Sequence, residues 1–442
     1  MAELSGRPLH WDLYEEHLDE GAFRWSQWER TLDAPDFTLE EVAELEEPVA
    51  AHVDGLVLGG EPVAKRLLVP ALGADEPERI VAAALALLQA EVPFGPAAVL
   101  ATLSEVEPPA LAPLRRALEL NPTPAFPMDL PALLKREEAA PGLLALVLDT
   151  LGAHGLATAP LCSPFLIHPE PQVAAAALRA AYRSRLSLDP AVLRDGLGSD
   201  EPTLRDAALL AGLMGGHREA WAACHSCVSA RAPDLRLPLL LLGMSGDERD
   251  VKRLLDLLPD ERLRPHALFA LGFCGRVAAA DACVELMRLK PVAALAGESF
   301  SAITGLRIAE EYAAPREAED EALPPLEDED LDADLSSKPE DALPRPWPES
   351  VTAWWQQERQ RLDARQRYLG GRPFTALALL DALESAPMRR RHALALELAL
   401  RSRGSLQVPT RAFAPHQLAA MKTARSAPTS SFSRPFAEGL RE

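Results

Sequence analysis

Along most of this chain apolar residues recur at spacings of three and four, and the strict alternation of a half-buried strand is scarce. The run from Arg264 to Arg276, RPHALFALGFCGR, shows the pattern best: a helical apolar stripe that contains a Leu-Gly pair, Leu271-Gly272. Related pairs stand at Leu151-Gly152, Ala211-Gly212, Leu242-Gly243 and, more loosely, Thr304-Gly305. A period of roughly 30 to 45 residues with two helical runs in each is the mark of an α-solenoid. Neither helix of such a unit can bury its apolar face alone, so neighbouring units stack and share one core. The expected fold is all-α, an α-solenoid of helical-hairpin repeats, with an atypical N-terminal cap and a C-terminal helical segment beyond an acidic linker.

The hairpins have a common opening. Asp75-Glu76-Pro77, Pro169-Glu170-Pro171 and Asp200-Glu201-Pro202 each precede an Ala- and Leu-rich run. Pro suits the first helical turn, and an acidic neighbour complements the positive end of the helix dipole. Shorter second helices are expected at PAVLRDGL, REAWAACHSCV, DVKRLLDLL and VAAADACVELM. Glycine inside the first helices would let their neighbours come close, where a larger side chain would overpack the core.

The pattern places a cap at residues 1–60, the repeat array at 61–312, a disordered acidic linker at 313–348, an Arg-rich helical segment at 349–425 and a flexible tail at 426–442. The cap holds Trp11, Tyr14, Phe23, Trp25, Trp28 and Phe37, read as its buried core, and Thr38 to Glu41 form a capping-box signature. From it Val42, Leu45, Val49 and Val53 continue at helical spacing, with Gly59-Gly60 as the stop. The linker carries a dozen acidic side chains and many prolines, too little apolar surface to offset the entropy of ordering it.

After the linker the charge reverses, with Arg359, Arg361, Arg365, Arg367, Arg372 and Arg389 to Arg391 among others. Residues 351–369 are expected as one amphipathic helix bearing Trp354 and Trp355 and closed by Gly370-Gly371. Further on, Leu379-Leu380-Asp381 and His392-Ala393-Leu394 repeat Leu254-Leu255-Asp256 and His266-Ala267-Leu268. The segment therefore reads as a displaced repeat that folds back on the acidic array, guided by charge. Trp354, Trp355, Arg359 and Arg372 are the candidate partner-binding residues.

The A-x-x-A-L-x-x-L-G type of helix resembles the HEAT-like repeats named after phycobilisome lyases. More specifically, the chain resembles a proteobacterial family of HEAT-repeat proteins. That resemblance is carried by LYEEHLDEGAFRW and FTLEEVAELEEPVAAHVDGL near the N-terminus, ALAGESFSAITGL at 294–306 and RYLGGRP at 367–373. Some members of the family are encoded near type VI secretion systems. The resemblance thus implies a protein partner from a secretion system, either a component or an effector.

Composition narrows the function further. A formal net charge of -21 disfavours binding to phosphate backbones, so no nucleic-acid partner is expected. Five cysteines, Cys162, Cys224, Cys227, Cys274 and Cys283, lie mostly within helical runs, as in a reduced cytoplasmic protein. No apolar run is long enough for a membrane span, and no signal peptide is expected.

Cys224-His-Ser-Cys227 offers two thiols but no second ligand pair, so core packing is expected there rather than metal binding. His266 and His392 occupy equivalent repeat positions and are expected to be structural. The chain has no G-x-S-x-G, P-loop or G-x-G-x-x-G motif. No catalytic residue, cofactor or metal is therefore expected, and the leading function is a non-enzymatic scaffold, adaptor or chaperone. The alternative from another class, a bilin lyase or isomerase, is suggested by the repeat type alone.

Overall fold

The computed structural model of the chain describes residues 9–90, 94–105, 108–121, 128–136, 138–315, 338–427, 432 and 434–440. The chain forms an all-α solenoid. The first helices of successive hairpins, Pro141–Ala153, Pro171–Arg183, Pro202–Gly215, Arg236–Ser245, Arg264–Cys274 and Ala293–Thr304, make a core layer. The second helices, Pro190–Leu197, Arg218–Ala230, Glu248–Leu257 and Val277–Leu286, form an outer layer with one side in solvent. Among the described residues the only strands are the two-residue pair Tyr368–Leu369 and Arg372–Pro373.

The sequence dictates where the core-layer helices begin. Pro77, Pro171 and Pro202 each take the first helical turn, and Glu76, Glu170 and Glu201 before them are extended. A helix start wastes no hydrogen bond on proline, because the first N–H groups have no partner in the helix anyway. Burial then follows the period: Val173 to Leu178 are all buried, and Leu268, Ala270 and Leu271 are fully so.

Glycine sets the distance between core-layer helices. A Cβ placed on Gly152 would lie 2.7 Å from Ala180 Cα, and one on Gly243 would run into the backbone of Ala270. In each case the partner sits on the next core-layer helix, about one repeat further along. At Gly152 and Gly243 the glycine is thus the point at which one unit touches the next, whereas Gly212 admits Ala220 of its own hairpin.

Helix Trp11–Thr31 packs on Glu46–Leu58, and both lie against Pro77–Gln89. Trp25 and Trp28 are buried in this cap, whereas Phe23 is exposed. The capping box at Thr38 and Glu41 is formed, each side chain reaching the other's backbone N–H. The helix it opens ends early, however, at Glu44, and a second helix starts at Glu46. Pro48 accounts for the break, since it has no N–H to offer the Glu44 carbonyl.

The C-terminal part departs further from the sequence pattern. The helix expected over 351–369 spans Pro348–Glu358, and a hairpin follows whose tip, Gly370-Gly371, has both φ angles positive. Such a pair forms a tight two-residue hairpin turn, which is a different use of Gly-Gly from ending a helix. Within the expected linker, residues 316–337 lie outside the described residues. Both of its ends are pinned: Trp347 N donates to Tyr312 O at 2.7 Å and Ala314 N to Arg345 O at 2.8 Å. Of the stretch expected as a tail, residues 428–431, 433, 441 and 442 lie outside the described residues; Phe432 is buried, and Arg434 and Gly439 accept hydrogen bonds from Arg401 and Arg403.

Candidate functional site

Helices Ala376–Ser385 and Met388–Arg401 form a hairpin, as their likeness to Glu248–Leu257 and Arg264–Cys274 suggests. Leu379, Leu383, Leu394, Leu398 and Leu400 join one apolar cluster with Leu209, Leu213, Leu241, Met244 and Phe273 of the core layer. The Arg-rich segment therefore packs on the array. Some of its arginines make surface charge pairs, but two, Arg367 and Arg401, meet backbone carbonyls at the ends of core-layer helices.

Every α-helix leaves its last carbonyls without intrahelical donors, and they carry the negative end of the dipole. Here those ends lie in a row and the C-terminal segment runs along it. Gly370 N donates to Ala302 O at 2.7 Å and Gly371 N to Ile303 O at 2.9 Å. Next, Arg367 donates to Phe273 O at 2.7 Å, Arg401 to Met244 O at 2.9 Å, and Gln407 to Arg183 O at 3.0 Å.

One buried carboxylate, Glu397, holds both of these guanidinium groups in place, and a second, Glu298, faces two further arginines. Glu397 is fully buried and accepts from Arg367 at 2.8 Å and from Arg401 at 2.7 Å. Burial alone would push its carboxyl up, but the two arginines outweigh that and hold it below the usual range. Glu298, on the last core-layer helix, lies 3.3 Å from Arg389 Nε and 3.8 Å from Arg390 Nη1. Arg390 also stacks over Phe273, with its guanidinium carbon 4.1 Å from the ring centre.

The row ends at the N-terminal cap. Met388 N and Arg389 N donate to Phe37 O and Ala34 O, and His392 Nε2 bonds Leu32 O at 2.8 Å. Asp33 pairs with Arg411 at 2.7 Å and lies 3.3 Å from His392. Against the upward push of burial, its bonds to His392 and Arg411 lower Asp33 to about 2. Glu46 takes Trp28 Nε1 at 3.1 Å and Ala414 N at 2.8 Å, and burial outweighs these bonds, pushing it up to about 7. One segment thus joins the last repeat to the cap.

The candidate partner-binding residues lie at two places in this arrangement. Trp355 is buried against Phe300, with ring centres 5.3 Å apart, and its Nε1 donates to Asp281 at 2.8 Å. Arg359 grips the same carboxylate through Nε and Nη2, both at 2.8 Å. Burial raises Asp281, but the bonds from Arg359 and Trp355 prevail and lower it. Both residues therefore fix helix Pro348–Glu358 to the final repeat. Trp354 is half-buried beside them, and Arg372 is exposed and pairs with Asp381 at 3.1 Å.

Cys224 is buried with its thiol facing Pro238 O, and burial holds that thiol well above its ordinary value. His392 is engaged at both ring nitrogens, by Thr410 and Leu32. Among the described residues no group of three or more His, Cys, Asp or Glu side chains is placed to hold a metal. No helix there is long and apolar enough to cross a membrane.

The sequence reading missed Glu397, Glu298, Gln407 and the carbonyl-facing roles of Arg367 and Arg401. One signal was available: Glu397 interrupts the apolar run ALALELAL, where an acidic residue on a buried face needs a cationic partner. No family model matches the chain, and no curated protein is significantly similar to it. Among solved structures it aligns with an engineered protein determined by the Northeast Structural Genomics Consortium, at 14% identity and a TM-score of 0.23. The alignment covers 93% of this chain and 97% of that one.

Proposed function

We propose that this protein is a non-enzymatic scaffold or adaptor that binds a protein partner on the outer layer of its solenoid. The observation that carries the reading is that layer itself. Four successive second helices turn Arg194, Asp195, Glu219, Lys252, Asp256 and Glu285 into solvent. Stacked repeats produce extended surfaces of this kind, and proteins built from them use such surfaces for binding. The mixed charges suit a polar protein surface better than a phosphate backbone.

The family resemblance in the sequence gives the partner a direction, a component or effector of type VI secretion, with the adaptor acting on the cytoplasmic side. Affinity capture of the full chain from a host carrying such a system, followed by mass spectrometry, tests this. A secretion component retained by the wild type and lost from a Lys252→Glu, Asp256→Lys double variant supports the reading. Recovery of a bound chromophore with no protein partner overturns it in favour of a repeat-type lyase.

A further inference from the structure

Between helices Pro202–Gly215 and Arg236–Ser245 the core layer has a step, and the chain's own tail lies across it. The tail is Arg434–Leu440, with Phe432 buried just before it. Phe436 sits edge-on to Trp221, their ring centres 5.0 Å apart. Arg401 Nη1 donates to the carbonyls of Phe432 at 2.8 Å and Arg434 at 2.6 Å, and the Arg403 guanidinium donates to Gly439 O. Between the tail, the end of helix Met388–Arg401 and Leu213 of the array remains a cavity of about 180 Å³, lined also by Arg403.

Three properties mark this as a peptide groove. Its donors address main-chain carbonyls, two before Pro435 and one at the end of the 3-10 turn Phe436–Gly439, so they supply affinity without demanding a sequence. Arg401 is pre-organised, since its side chain is 2% exposed and is held by Glu397. Trp221 then provides an aromatic wall that selects one side chain, and Phe436, directly after Pro435, fills that place.

The occupant, for its part, is not woven into the array. Its backbone bonds, Glu438 N to Pro435 O and Leu440 N to Ala437 O, stay within the tail itself and form a single 3-10 turn over Phe436–Gly439. Side-chain donors and an aromatic contact hold it down.

We propose that this groove is a binding site for a Pro–aromatic segment of a protein partner, extended at the proline and turning into a short 3-10 helix from the aromatic residue onward, and that the tail Arg434–Leu440, which has that shape, is a resident competitor which such a segment displaces. The proposal rests on the scaffold reading above and gives one partner contact a defined chemistry. Proline fixes the extended approach to the groove, and the aromatic ring following it docks on Trp221.

The test uses full-length protein and a fluorescein-labelled synthetic peptide with the sequence of residues 432–442, followed by fluorescence anisotropy. Phe436→Ala in the full chain weakens the resident tail without touching the groove. That variant is expected to bind the peptide at least tenfold more tightly than the wild type does. The peptide carrying Phe436→Ala, or a Trp221→Ala receptor whose thermal melt is unchanged, is expected to lose at least tenfold in affinity. Equal binding by wild type and variant, absence of binding to both, or equal binding of a scrambled peptide overturns the proposal. Partner capture that persists while peptide binding fails removes the groove and leaves the scaffold reading standing.

Discussion

Arg367 and Glu397 form a two-point pair in which Nη2 donates to Oε2 at 2.8 Å, and the same Nη2 donates to Phe273 O at 2.7 Å. One guanidinium therefore ties the C-terminal hairpin to the end of a core-layer helix. Glu397 has no exposure to water and Arg401 completes its shell, so the three groups form one buried network. Buried charges are tolerated when fully paired and are costly once a partner is removed.

Glu397→Ala is accordingly expected to destabilise the protein by about 3 to 5 kcal/mol, the usual cost of stranding a buried charge. Urea denaturation followed by circular dichroism measures it. A loss below about 0.5 kcal/mol, the scale of exposed positions, would show that the network is solvated.

Gly243→Ala drives a methyl group into the Ala270 backbone and is expected to cost about 1 to 3 kcal/mol, as overpacking does. Gly198 supplies the comparison. Its φ is -85° and an added Cβ would meet nothing closer than 3.5 Å, so Gly198→Ala should leave the melting temperature nearly unchanged. Equal losses at the two sites would mean that the spacing of the core layer is not set by glycine.

Glu46 gives the contact between cap and C-terminal segment a pH dependence. Burial raises its pKa from 4.5 to about 7, so between those values the native state holds a proton that the unfolded chain has released. Stability from this group is full below about pH 4.5 and is lost as pH rises towards 7. Glu46→Gln keeps an acceptor for Trp28 and Ala414 without the charge. The variant should match the wild type at pH 4 and exceed it in stability at pH 8. Parallel stability curves across that range would argue against a buried, protonated Glu46.

The docked segment should resist salt. Apart from the exposed ion pairs Arg359–Asp281 and Arg411–Asp33, its contacts to the array and cap are mostly carbonyl-directed, apolar or buried, and screening acts mainly on exposed charges separated by a Debye length or more, about 3 Å at 1 M salt. A protease site introduced between residues 320 and 330 allows the chain to be cut after folding. The two fragments are expected to co-elute on size exclusion at both low salt and 1 M salt. Separation confined to 1 M salt would restore surface charge attraction as the main force.

The sequence by itself determined most elements of the array and their stacking unit, though not the hairpin at Gly370-Gly371. Apolar spacing, Pro at the first turn, the capping box and the Leu-Gly pairs are local features, and each carries its physical consequence wherever the chain places it. Leu271, Val173 to Leu178, and the helix starts at Pro77, Pro171 and Pro202 were legible for that reason. The excess of arginine after the linker was visible too, but its destination was not. Only the tertiary structure decided that Arg401 caps Met244, 157 residues away, that Trp355 turns inward onto Asp281, and that the tail rests on Trp221. A helix's unsatisfied carbonyls belong to every helix alike, so composition cannot say which of them an arginine will meet. Stacking the repeats brings their ends into one row, and that row exists only once the solenoid has formed.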